Sequence, residues 1–199
     1  MTNTVVCVLR SGGVYTPDWV VKLNRNVDRF SYGHRFVCLS DVAVPGVETI
    51  KLEHDWPGWW SKMEMFRPGL LPGRNLYLDL DTVITANIEH LWAYNGFASL
   101  SDFYSLDNPA SGVFLWTEPR PALYEQMLTN PPPMRSRSDF WWPQHAGQVD
   151  RLQKLFPGTF GSYKAHRLDD DPQDFAVVCF HGTPKQPDVL NSWVGKYWQ

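Results

Sequence analysis

The chain has 199 residues, a formal net charge of −3 and 43% hydrophobic residues, which fits one domain with a full-sized core. It carries no global basic excess, which argues against nucleic acid or an anionic membrane as the main partner. No window reaches the ~18 apolar residues of a membrane span, and the start, Met1-Thr2-Asn3-Thr4, lacks the basic and long apolar regions of a secretory signal.

Residues 4–9 (TVVCVL) form a short continuous apolar run, the pattern of a strand buried in a parallel sheet. Residues 10–13 are a loop. Thr16 can cap a helix with Pro17 at its first position, and Val20, Leu23, Val27 and Phe30 then recur at helical spacing. Residues 34–39 and 47–52 read as the second and third strands, and this βαβ opening indicates a parallel α/β sheet. A helix is expected over 61–66, stopped by Pro68-Gly69, then a strand over 76–80. Residues 97–106 are strand or loop, 111–116 a strand, and 119–128 a helix with proline near its start. Residues 130–139 (NPPPMRSRSD) form a proline- and arginine-rich loop, the segment best suited to move. The spacing of Val149, Leu152, Leu155 and Phe156 predicts a helix over 144–156, and 176–180 (AVVCF) is a late strand ending at His181-Gly182. No internal repeat or second domain is visible. Cys7, Cys38 and Cys179 all lie in apolar runs, which reads as reduced core thiols and hence a cytoplasmic protein. No CxxC or His-rich spacing points to zinc.

The chemistry concentrates where Asn75-Leu76-Tyr77-Leu78 runs into Asp79-Leu80-Asp81. Carboxylates at i and i+2 point the same way on an extended backbone. At the carboxyl end of a strand they face the crevice where open α/β sheets bind ligands, and paired oxygens suit a hard divalent cation holding substrate phosphates. A bare Asp-x-Asp is otherwise a solvated strand end or a helix cap, so its company decides. His181, at a second strand end, can complete a metal site or serve as a structural hydrogen-bonder. In His181-Gly182-Thr183-Pro184-Lys185-Gln186-Pro187 the glycine lets backbone approach a ligand, and Lys185 is a point charge suited to phosphate. There are ten tryptophans. Trp56, Trp59 and Trp60 cluster around Pro57-Gly58, and Trp141-Trp142 follow the proline-arginine loop. Such faces pack against a sugar or a base, or simply under a loop.

Four stretches in order resemble the GT-A glycosyltransferases, most closely glycosyltransferase family 8, the glycogenin and bacterial lipopolysaccharide galactosyltransferase type. They are Trp60-Ser61-Lys62-Met63-Glu64-Met65-Phe66, similar to the family's lysine-bearing helix, and Leu76-Tyr77-Leu78-Asp79-Leu80-Asp81-Thr82-Val83-Ile84, similar to its YLDxDT[VL] motif. Asn108-Pro109-Ala110-Ser111-Gly112-Val113-Phe114 and the His-Gly-x-x-Lys-x-Pro stretch complete the set, over residues 4–187.

The resemblance implies a single GT-A, Rossmann-like α/β domain with a mixed, mostly parallel central sheet flanked by helices. It implies transfer of a sugar from a nucleoside-diphosphate sugar, UDP-sugar favoured, with retention at the anomeric carbon. Asp79, Asp81 and His181 would bind Mn²⁺ or Mg²⁺. Lys185 and the Gly182 backbone would hold the diphosphate, and Lys62 the phosphate or donor sugar. Arg10 to Tyr15 would border the base, Asp41 would meet base or ribose, and Asn108 and Ser111 would lie near the donor sugar. The chain departs from the family at an Asp-Gln pair: Gln148 is present in Ala146-Gly147-Gln148, and Asp139, Gln144 or Asp150 is left to replace the aspartate. The acceptor is open, a glycan favoured and a modified nucleobase in DNA conceivable from Arg135 and Arg137. A nucleotidyltransferase or sugar-nucleotide hydrolase would share the metal chemistry. A non-catalytic carbohydrate-binding module would account for the tryptophans but not for the ordered motifs.

Overall fold

The computed structural model describes residues 2–134 and 138–199. The expected strand at the start is β1 (Asn3–Leu9), followed by α1 (Pro17–Asp28), β2 (His34–Ser40) and β3 (Glu48–Lys51). A 3₁₀ segment (Gly58–Phe66) leads to β4 (Arg74–Leu78), β5 (Thr82–Ile84), β6 (Phe97–Ser101), β7 (Pro109–Trp116) and α2 (Pro121–Thr129). The chain closes with α3 (Ser138–Trp141), β8 (Asp150–Arg151), α4 (Leu152–Leu155), β9 (Phe160–Ser162), β10 (Val177–Cys179) and α5 (Val194–Tyr197). Seven strands pair in the order β3-β2-β1-β4-β7-β6-β8, and three in the order β5-β10-β9. In the large sheet β3, β2, β1 and β4 run parallel, β7 is antiparallel to both β4 and β6, and β8 is parallel to β6. This is the α/β architecture the sequence predicts, a mixed sheet with a parallel half.

Period-two alternation divides the core. Val5, Cys7, Leu9, Leu76, Leu78, Val113 and Leu115 face one way, against α1, the small sheet and the C-terminal Val194 and Trp198. Val6, Val37, Leu39, Tyr77, Phe114 and Trp116 face the other way, against Trp60, Met63, Met65 and Phe66 of the 3₁₀ segment and Leu123 and Met127 of α2. A strand buried on both faces has no polar side, which is why these runs read as continuously apolar.

Three expectations change. Residues 144–156 are not one helix: Gly147 takes a φ of +71°, a left-handed conformation that ends any helical run, and Asp150–Arg151 is drawn into the sheet beside β6. Only Leu152–Leu155 is α-helical, and Gln144 ends a 3₁₀ turn that begins at Trp142. Residues 61–66 belong to a longer 3₁₀ segment, and Thr16 sits at the N-cap position of α1 without a side-chain cap bond. Of the ambiguous 97–106 stretch, 97–101 is strand and the rest loop. The movable loop expected over 130–139 lies partly outside the described residues.

One polar contact joins the layers. Asn26, 1% exposed on α1, donates to the Ile84 carbonyl at 2.8 Å and accepts from the Ile84 N–H at 2.6 Å. It satisfies both backbone groups of the β5 end, which would otherwise be buried unpaired. Asn26→Ala should cost about 2–4 kcal/mol in urea unfolding, because two buried groups lose their partner. An unchanged midpoint would show that solvent replaces the amide at no cost.

Candidate active site

Asp79 and Asp81 occupy the step from the large sheet to the small one. The Asp79 N–H donates to the Gly112 carbonyl at 2.9 Å, continuing the β4–β7 ladder, while the Asp81 carbonyl accepts from the Phe180 N–H at 2.9 Å beyond β10. The Thr82 N–H closes the turn on the Asp79 carbonyl at 3.1 Å. Both carboxylates are therefore fixed by backbone bonds on either side.

Each carboxylate has a lysine and a tyrosine. Lys62, 5% exposed, donates to Asp79 Oδ1 at 2.9 Å and to the Ser111 carbonyl at 3.1 Å. Tyr77 also donates to Asp79 Oδ1. Lys185 donates to Asp81 Oδ2 and, at 2.7 Å, to the Phe180 carbonyl. Tyr15 donates to Asp81 Oδ2 at 2.8 Å. Lys185 can return to this point because Gly182, at φ +74°, turns the chain back after β10. The motifs carrying Lys62, Asp79, Asp81, Ser111 and Lys185 are thus brought together. Tyr77 was not among the residues singled out from sequence. Its signal was available: at i−2 from Asp79 it shares that residue's face.

Electrostatics follow from burial. Loss of solvation raises the Asp79 carboxyl above its ordinary range; Lys62 opposes this and Asp81 adds to it. Burial also raises the Tyr15 and Tyr77 hydroxyls, with the adjacent carboxylates reinforcing the shift. Both phenols therefore stay protonated as donors.

Three cavities meet at Asp79. One of about 340 Å³ is bordered by Arg10, Val14, Tyr15, Trp59, Lys62 and Lys185. A second, about 160 Å³, is bordered by Asp79, Asp81, Ser111, Gly112, Asp139 and His181. A third, about 290 Å³, lies between Trp59, Lys62, Asp79, Ser111, Ser138 and Asp139.

The remaining predicted residues are placed differently. Asp41 accepts from the Ser11 N–H at 2.8 Å and the Ser11 hydroxyl at 2.6 Å, with Arg10 at 3.5 Å. Burial works to raise its pKa, but the Ser11 bonds and Arg10 outweigh it and hold the carboxyl below its usual value. Asp41 thus shapes the 10–15 loop. Asn108 and Gln148 are exposed and border none of the three cavities. Gly182 acts through its turn. Of the three residues left open for the aspartate, Asp150 accepts from Tyr94 at the sheet edge at 2.8 Å. Asp139, held by the Ser111 N–H at 2.9 Å, faces the carboxylates.

Asp79, Asp81 and His181 border one cavity, and carboxylate and imidazole donors are of the kind that bind a divalent cation. Their arrangement is another matter. Among the described residues no three His, Cys, Asp or Glu side chains form a set that could hold an ion. His181 Nε2 lies 2.6 Å from the Ser162 hydroxyl, with its ring parallel to Phe103 at 5.8 Å. The donor chemistry fits Mn²⁺ or Mg²⁺, but for these three to hold an ion, His181 and Lys185 would have to leave their present partners.

Two measurements test this account. Lys62→Met should cost about 2 kcal/mol in urea unfolding, less than for a fully enclosed pair because the Asp79 side chain keeps 32% exposure. Adding Asp79→Asn should restore much of the loss; no recovery would mean the cost is packing. Burial lowers the His181 pKa, so its ring should titrate by NMR below the ordinary value of about 6.5. The fold favours the neutral ring, so its stabilising contribution is present above the unfolded pKa and is lost as pH falls through the folded one.

No protein-family model matches the sequence, and no curated protein matches it. Solved structures do. An active-site mutant of the galactosyltransferase LgtC superposes with a TM-score of 0.68 at 11% identity, over 98% of this chain and 93% of that one. The glycosyltransferase GlyE of Streptococcus pneumoniae TIGR4 gives 0.65 at 12% identity, over 98% of this chain but 64% of GlyE. The bifunctional glycosyltransferase WbbM gives 0.57 at 11%, with 49% of its chain covered. The chain therefore spans less than two thirds of GlyE and WbbM, and at these identities the likeness is one of fold: the protein has the GT-A fold shared by these glycosyltransferases.

Proposed function

We propose that the chain is one catalytic domain of a metal-dependent glycosyltransferase that moves a sugar from a nucleoside-diphosphate sugar, UDP-sugar favoured, to a hydroxyl acceptor with retention. The observation that carries this reading is the junction of Asp79, Asp81, Lys62 and Lys185 between adjoining cavities, in a fold shared with glycosyltransferases. The larger cavity, with apolar Val14, the Tyr15 ring and basic Arg10 and Lys185, suits a nucleotide. The smaller one, lined by Asp79, Asp81, Ser111 and Asp139, suits the hydroxyls of the donor sugar.

In the reaction the acceptor oxygen bonds to the anomeric carbon. The bond from that carbon to the β-phosphate oxygen breaks, leaving its electron pair on the nucleoside diphosphate. The hydroxyl proton passes to a phosphate oxygen. Lys185 and Lys62 stabilise the charge that builds on the leaving group. Mn²⁺ or Mg²⁺ held by Asp79, Asp81 and His181 would supply Lewis-acid stabilisation of the same charge. Tyr15 and Tyr77 fix the carboxylates, and the 10–15 loop, braced by Asp41, borders the base. We place the activity in the cytoplasm: Cys7, Cys38 and Cys179 are free buried thiols, and among the described residues no helix is long and apolar enough to cross a membrane.

The test is product analysis with a panel of nucleotide sugars and saccharide acceptors, with Mn²⁺ and then EDTA. A glycoside plus nucleoside diphosphate, lost on chelation, is the expected result. Free sugar alone identifies a hydrolase, and pyrophosphate a nucleotidyltransferase. Asp81→Asn should lower turnover by roughly 10³-fold while the thermal midpoint moves by only a few degrees. Retained metal-dependent turnover would remove Asp81 from the site. NMR of the product's anomeric proton reads the stereochemistry, with retention expected.

A further inference from the structure

Ser162 ends β9 and pairs in register with Cys179 of β10, the residue two before His181. It has no exposed surface. Its N–H donates to His166 Nδ1 at 2.9 Å, and its hydroxyl oxygen accepts from the Ala165 N–H at 3.0 Å. The strand pairing and these two bonds fix the side chain. His181 Nε2 lies 2.6 Å from the same oxygen.

The direction of the Ser162–His181 bond follows from counting protons. A serine hydroxyl has one proton to donate, and a buried hydroxyl needs an acceptor for it. Among the described residues no other hydrogen bond takes that proton. The hydroxyl therefore donates and Nε2 accepts. A neutral imidazole has one ring nitrogen with a lone pair. With Nε2 accepting, Nδ1 carries the proton and neither nitrogen is open to a cation. The usual partner of a metal-bound histidine accepts an N–H from the nitrogen turned away from the metal and leaves the other free. Ser162 does the reverse. The ring is held from other directions as well, parallel to Phe103 and edge-on to Tyr104, each at 5.8 Å. It still borders the cavity of Asp79 and Asp81.

Resting on the metal dependence proposed above, we infer that Ser162 is a latch on His181: its hydroxyl competes with a divalent cation for the imidazole lone pair. The arrangement described here is the latched one, with Lys185 on Asp81. Taking up His181 as a ligand means breaking the Ser162 bond and leaving a buried hydroxyl without its acceptor, which weakens cation binding. Ser162 is thus a positioning residue that opposes the cation rather than supporting it.

The experiment has two parts. In the first, long-range ¹H–¹⁵N NMR of metal-free wild type reads the His181 tautomer. The proton should be on Nδ1, and the Nε2 resonance should shift when Mg²⁺ and UDP are added. In the second, Mn²⁺ affinity is measured by EPR, with UDP present, for wild type, Ser162→Ala, His181→Ala and the double variant. Ser162→Ala should bind Mn²⁺ roughly tenfold more tightly than wild type. His181→Ala should bind it more weakly, and adding Ser162→Ala to that variant should change nothing. A general structural effect of losing the hydroxyl would persist in the double variant.

A metal-free tautomer with the proton on Nε2 would overturn the inference, because Ser162 would then be an acceptor of the supporting kind. Equal or weaker Mn²⁺ binding in Ser162→Ala, in a protein whose binding does depend on His181, would overturn it while leaving the metal reading intact. Mn²⁺ binding indifferent to His181→Ala would remove His181 from the metal set and the latch with it. Absence of Mn²⁺ binding in both wild type and Ser162→Ala would overturn the metal reading itself. If Ser162→Ala does not fold, the wild-type resonances decide: an Nε2 signal unmoved by Mg²⁺ and UDP that calorimetry shows to be bound would mean that the hydroxyl keeps its acceptor, and the competition fails.

Discussion

The structure depends on how two carboxylates are carried out of one sheet and into another. Between β4 and β5 the chain leaves the large sheet, and Asp79 and Asp81 make that step with backbone bonds to Gly112 on one side and Phe180 on the other. Carboxylates so placed lose hydration, and the loss must be offset by charge and hydrogen bonds. Lys62 comes from the segment covering one face of the sheet, and Lys185 from the loop following the small sheet. Each side of the molecule thus contributes one cation to the junction. Both cores must be in place before the junction is neutral.

That requirement explains why the 3₁₀ segment is buried along most of its length although it contains Lys62 and Glu64. Glu64, with no exposed surface, accepts from the Glu53 N–H at 2.7 Å and the His54 N–H at 2.9 Å, which ties residues 53–54 to the segment bearing Lys62. Trp60 and Phe66 pack it against the sheet. The lysine is presented by a framework with apolar and hydrogen-bonded anchors, and little freedom would be left to lose in the phosphate or sugar contact proposed for it.

Much of this was legible in sequence where the governing physics is local. Continuous apolar runs marked β1, β2 and β4, but the extended backbone expected to carry Asp79 and Asp81 on one face stops at Leu78, where a turn closed by the Thr82 N–H on the Asp79 carbonyl brings both to one cavity instead. What failed or was missed depends on partners distant in the chain. Residues 144–156 carry helical spacing, but Gly147 and the pairing of Asp150–Arg151 with β6 override it. Asn26 looks like an ordinary helical asparagine until Ile84, 58 residues on, is beside it. His181 follows its strand as expected, yet Ser162 at the end of β9 and the ring of Phe103 in the loop after β6 decide its present direction. Asp139 could not be chosen over Gln144 or Asp150 from spacing alone. The structure adds that the Ser111 N–H holds Asp139 in the wall of the cavity shared with Asp79 and Asp81.

Charge balance ties the site to the proposed chemistry. Lys62 and Lys185 cancel Asp79 and Asp81, so the junction offers no surplus positive charge to a nucleoside diphosphate. A diphosphate brought against it must supply its own counter-charge or detach a lysine from its carboxylate. Detaching Lys185 alone would leave Asp81 facing the incoming phosphates, two anions repelling in a partly desolvated cleft. In the proposed transfer, Asp79 and Asp81 would hold a divalent cation that supplies this counter-charge, and Lys185 would then be available to the phosphates. The two aspartates and the two lysines are therefore one device. The paired arrangement is the form seen here, and under the proposed function the charge it would receive is that of an anion accompanied by a metal.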